Sequence, residues 1–142
     1  MTPPYRAGQF VWCRFPTREQ PLSPGPKLRI GYVLDVSPSM MTAMLYTSTA
    51  RWADDRLPLG VIHIGEKQAQ KLGQKPFAID VRCAAFLPIS IEFFPHLMDA
   101  DHGVQGEAPA GLDRKIKAVL TEMRRRRVPI DLRGPGRGTP GR

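Results

Sequence analysis

Arg29-Ile30-Gly31-Tyr32-Val33-Leu34-Asp35-Val36, a short Ser37-Pro38-Ser39, then Thr42-Ala43-Met44-Leu45-Tyr46-Thr47-Ser48 is the stretch whose reading decides the fold. Both runs are rich in β-branched and aromatic residues, the composition of half-buried strands. The connection between them is too short for anything but an antiparallel hairpin. Working outward, Gly8-Gln9-Phe10-Val11-Trp12-Cys13-Arg14-Phe15 reads as a preceding strand. It is separated from the hairpin by a segment with proline at 16, 21, 24 and 26. Proline cannot donate to a sheet ladder, so residues 16–26 are expected as a long surface loop.

Beyond the hairpin, Val61–Ile64 reads as a short strand, and Glu66–Leu72 as one or two helical turns closed by Gly73. Phe77–Arg82 and Ala84–Leu87 are strand candidates, and residues 95–111 are expected to be loop. Leu112, Ile116, Val119, Leu120 and Met123 recur at helical spacing, which predicts an amphipathic helix over 112–126 stopped by Pro129. The expected architecture is mainly β (α+β), a small barrel or twisted sheet capped by that C-terminal helix. One domain is expected over 1–128, with 129–142 as a basic Gly/Pro/Arg-rich disordered tail.

The chain has 142 residues and a net charge of +8. Seven arginines and one aspartate fall in residues 124–142, a net +6, so the other 123 residues carry only +2. The basic character is therefore concentrated at the C-terminal end, where it either adds non-specific phosphate affinity or solubilises. No apolar run reaches the roughly 18–20 residues of a membrane span, and the N-terminus lacks the apolar centre of a signal peptide. Neither a membrane partner nor secretion is expected.

Cys13 and Cys83 are the only cysteines. One disulfide is possible, but both sit in apolar runs that suit free buried thiols in a reducing cytoplasm. His96, Asp99, Asp101 and His102 match neither a zinc nor a calcium spacing and read as a polar loop. His63, inside an apolar tetrad, reads as a structural histidine. No nucleophile elbow, P-loop or dinucleotide fingerprint occurs. Arg29 follows a Pro/Gly loop with Lys27 nearby, a setting that can offer a guanidinium to a phosphate or leave an ordinary exposed arginine. Thr47 and Ser48, ending the next strand, supply two hydroxyls that suit either an anion or a turn.

The order of these segments resembles the PemK/MazF-like toxin family. The strand Gly8–Phe15, the loop with Arg18-Glu19-Gln20, Arg29 before an apolar strand, the strand end Leu45-Tyr46-Thr47-Ser48, and Phe77–Cys83 followed by Phe86-Leu87-Pro88 are similar to the family's segments in the same order, over residues 8–126. The resemblance implies an SH3-like barrel of MazF/PemK type, usually a homodimer. It implies the toxin of a toxin–antitoxin pair, a cytoplasmic endoribonuclease that needs no metal or cofactor and cuts single-stranded RNA to cyclic-phosphate and 5′-hydroxyl ends. The antitoxin protein is implied as a second partner. Carried over by position, Arg29, Thr47 and Arg82 are the catalytic candidates. Arg18, Gln20, Lys27, Tyr46 and Ser48 are the RNA-binding ones. Trp12 and Tyr46 are placed to stack on bases or to pack the core. Three positions depart from the family pattern. Ile30 replaces a proline, Arg18 stands where some members have histidine, and Ala84 where some have aspartate. The departures raise the alternative of a non-catalytic barrel that binds protein or nucleic acid.

Overall fold

A computed structural model of the protein describes residues 2–50 and 52–136. The expected hairpin is present: β2 (Arg29–Ser37) pairs antiparallel with β3 (Met41–Ser48), and β1 (Gln9–Cys13) pairs with β2 on its other side. β4 (Val61–Ile64) and β5 (Phe77–Pro88) extend the sheet beyond β3. The two strand candidates at 77–82 and 84–87 are thus one long strand. With β6 at Val104–Glu107, the sheet order is β4-β5-β3-β2-β1-β6, and the fold is mainly β.

β5 carries the main distortion. Leu45 faces Ala84 across the ladder, but Tyr46 faces Asp80, so Val81-Arg82-Cys83 bulge out between them. A bulge bends its strand and sharpens the local twist. It also divides the outer edge of β5 in two. β4 pairs with the first half, and β7 (Asp131–Arg133) runs parallel to the second.

β7 corrects one expectation. The sequence reading puts residues 129–142 in a disordered tail, yet 131–133 belong to the sheet. Gly134, at φ 93°, then lies so close that a Cβ there would sit 2.2 Å from the Phe86 carbonyl oxygen, a position only glycine fills. The expected disorder of residues 137–142 lies outside the described residues. A second correction concerns 95–111: Val104–Glu107 forms β6, paired with β1.

α1 (Glu66–Lys71) and α2 (Leu112–Arg125) match the predicted helices. Leu112, Ile116 and Met123 are buried on the sheet-facing stripe of α2, as the periodicity requires. The sheet is covered on both faces. Under the helices lie Phe10, Tyr32, Leu45, Ile64, Phe77 and Ile79. On the opposite face Val11, Cys13, Val33, Met44 and Leu87 pack with Tyr5, Phe15, Phe93 and Phe94 from outside the strands. Phe10 and Val11 are adjacent in β1 and fill opposite cores, the period-two alternation of a strand buried on both sides. Phe10 makes edge-to-face contacts with Tyr32 and Phe77. Truncating it to alanine would cost about 3–5 kcal/mol.

Candidate functional site

The hairpin brings Arg29 and Thr47 together across 18 positions of sequence. Tyr32 pairs with Leu45; two residues further along, the same register sets Ile30 opposite Thr47. Thr47 is buried, and its hydroxyl donates to the Ile30 carbonyl at 2.6 Å. Arg29 Nη1 donates to the Thr47 carbonyl at 3.1 Å. The guanidinium carbon lies 4.6 Å from the centroid of the Tyr46 ring, a cation–π arrangement. Tyr46 in turn meets Phe15 edge-on at 5.3 Å. Arginine has five N–H donors, so a guanidinium fixed by one backbone carbonyl and a ring below keeps donors for a ligand.

Arg29 forms a wall shared by two clefts. The first, about 500 Å³, is lined among others by Trp12, Arg29, Thr47, Ser48, Lys75 and Phe77. The second, about 300 Å³, is lined among others by Arg18, Glu19, Lys27, Arg29, Tyr46 and Arg133. Glu19 is the only carboxylate in either lining, against Arg18, Lys27, Arg29 and Lys75 and a fifth cation, Arg133, that is paired with Asp131 outside the lining. The local field favours an anion far more strongly than the net charge of residues 1–123 suggests.

The candidate residues divide accordingly. Arg29, Thr47 and Ser48 meet at the first cleft, and Arg18, Lys27, Arg29 and Tyr46 at the second. Ser48 Oγ accepts from the Ala50 N–H at 3.0 Å, so part of its capacity shapes the turn. Gln20 lines neither cleft; its backbone N–H donates to the Thr17 hydroxyl. Arg82 lines neither cleft. It stands in the β5 bulge and forks onto Asp80, with Nε and Nη2 donating to the two carboxylate oxygens at 2.8 Å each. These hydrogen bonds hold Arg82 above the usual arginine range. Ala84 is buried under the helices.

Several residues here were not singled out from sequence. Lys75 is a second cation in the first cleft. Gln105, from β6, accepts from Trp12 Nε1 and donates to the Leu72 carbonyl, both at 2.9 Å, and so braces the cleft wall between β1 and the end of α1. Arg133 donates to the Pro16 carbonyl at 2.9 Å and to Asp131, while the Gly134 N–H reaches the Pro21 carbonyl. β7 therefore pins the proline-rich loop that carries Arg18 and Lys27. Gly25 completes this seat, because a Cβ there would lie 2.1 Å from the Phe15 carbonyl oxygen.

The histidine–aspartate cluster is spent on its own loop. His96 Nδ1 pairs with Asp99 at 2.8 Å, His102 Nδ1 bonds the Leu97 carbonyl, and Asp101 accepts from the Gly103 N–H. Among the described residues no group of three or more His, Cys, Asp or Glu is arranged to hold a metal. Both cysteines are free and buried. Burial pushes Cys13 up to about 12 and Cys83 up to about 11. No helix among the described residues is long and apolar enough to cross a membrane.

No protein-family model, curated protein or solved structure matches the chain.

Proposed function

We propose that the Arg29–Thr47 cleft binds the backbone of single-stranded RNA and cleaves it, the protein acting as the endoribonuclease toxin of a toxin–antitoxin pair. The observation that carries this reading is the convergence of Arg29, Thr47 and Lys75 on one cleft without a carboxylate in its lining. The ordered sequence resemblance supplies the reaction. A ribose 2′-hydroxyl attacks the adjacent phosphate, the bond to the 5′-oxygen breaks, and a cyclic phosphate and a 5′-hydroxyl remain. Arg29 is suited to stabilise charge on the phosphorane oxygens, the largest contribution a pre-set donor makes. Thr47 acts through Arg29: its hydroxyl proton is committed to Ile30 and its carbonyl fixes the guanidinium. The same reading carries the SH3-like barrel, a homodimer, an antitoxin segment filling the cleft, a cytoplasmic setting and no cofactor.

A specific observation favours a second reading, RNA binding without cleavage. The first cleft is lined by no histidine, aspartate or glutamate to move a proton. Incubating the protein with a defined single-stranded transcript in EDTA and mapping the ends separates the two. Discrete cuts bearing cyclic phosphates support the enzyme. Saturable binding with intact RNA supports the binding module and rejects cleavage.

A further inference from the structure

A third cavity, about 230 Å³, adjoins the first cleft and shares Thr49 and Phe77 with it. Its other walls include Trp52, His63, Ile64 and Pro76. His63 was expected to be a structural histidine. It alternates with Ile62 and Ile64, which both enter the core under the helices, so its imidazole lies on the exposed side of β4. Trp52 comes from the segment after β3 and is half-buried. Among the described residues neither the Trp52 indole N–H nor the His63 ring has a hydrogen-bond partner. Two aromatic groups with unspent polar atoms thus border an apolar recess that opens beside a cationic cleft.

We infer that this recess is a nucleobase subsite, in which the base next to the phosphate held at Arg29 stacks on Trp52 and offers its edge to His63. The inference rests on the proposed RNA-binding reading of the first cleft. The recess has less than half the volume of the phosphate cleft, room for one flat ring system rather than a drug-sized ligand. Single-stranded RNA is recognised by such splayed bases, stacked on aromatic rings and hydrogen-bonded along their edges. Stacking tolerates any base, whereas a partner on the base edge selects among them. His63 therefore confers the sequence preference and Trp52 the affinity.

The test uses the full chain and a series of short 2′-O-methyl oligonucleotides, which lack the attacking hydroxyl. Each carries one abasic position, and binding is read by fluorescence anisotropy. Trp52→Ala weakens binding of the intact oligonucleotide roughly tenfold. It has no effect on the one whose missing base is the one that stacks there, and Trp52→Phe restores most of the loss. His63→Ala flattens the preference among bases at that same position. A uniform loss across the abasic series, or none for the intact strand, overturns the subsite. Arg29→Ala binding every oligonucleotide as tightly as the wild type would instead reject the phosphate cleft itself, so the two failures are distinct.

Discussion

Arg29 and Arg82 are both arginines on strands of one sheet, and both are catalytic candidates by their position in the sequence, yet their surroundings differ in kind. At the start of β2, Arg29 rests on an aromatic face, is fixed by one neutral carbonyl, and borders two clefts. In the β5 bulge, Arg82 is forked onto a carboxylate two residues away and borders neither. A guanidinium held by a ring and a dipole keeps its charge available to an anion. One held by a carboxylate has already spent it, and a second anion would have to displace Asp80. Position in a sequence pattern does not distinguish these cases; the nearest neighbour does.

The largest effect expected from this contrast is on the proposed RNA cleavage. Arg29→Ala lowers the single-turnover rate on a defined RNA by about 10²–10³-fold, the usual cost of removing one pre-set anion donor. Arg82→Ala changes it by less than about twofold. Equal losses in the two variants would erase the distinction. Next comes the clamp from β7. Arg133→Ala leaves the Pro16 carbonyl and Asp131 without their partner and lowers unfolding stability by about 1–3 kcal/mol. It also weakens RNA binding through the loosened loop that carries Arg18 and Lys27, which urea unfolding and a binding titration check together. A variant with full stability and full affinity would show that the loop is held by other contacts.

A smaller effect of opposite sign is expected at Tyr32. Its ring is fully buried beside Phe10, and its hydroxyl has no hydrogen-bond partner among the described residues. Burial lifts it to about 12. Tyr32→Phe removes an unsatisfied polar atom and raises stability by about 1 kcal/mol, read from the urea midpoint at unchanged m-value. Destabilisation would reveal a partner for the hydroxyl. The smallest effect concerns the thiols. With Cys13 and Cys83 buried and raised as they are, the folded protein at pH 8 reacts with Ellman's reagent far more slowly than the unfolded chain. A prompt release of one thiol equivalent would contradict the burial.

Much of the scaffold was legible because its signals are local. The hairpin shows in its β-branched and aromatic runs, and α2 in the spacing of Leu112, Ile116 and Met123. β6 and β7 were not legible, for a physical reason. Val104-Gln105-Gly106-Glu107 and Asp131-Leu132-Arg133 carry no strand period of their own. Their pairing is set by what β1 and the bulged β5 leave open. The roles of Gln105 and Arg133 depend on Trp12, Leu72 and Pro16, all distant in sequence. The Arg82–Asp80 pair was within reach, since residues two apart on a strand point the same way. His63 was equally readable as the outward member of an alternating strand.

The central claim is that Arg29, and not Arg82, meets the RNA backbone. It is tested most directly by the salt dependence of binding to a non-cleavable single-stranded RNA, measured for the wild type and both variants. Losing one phosphate contact reduces the slope of log K against log salt by about 0.7 for a single strand. The expected result is that reduction in Arg29→Ala with the wild-type slope kept in Arg82→Ala. An unchanged slope in Arg29→Ala, or the same reduction in both, would contradict the account.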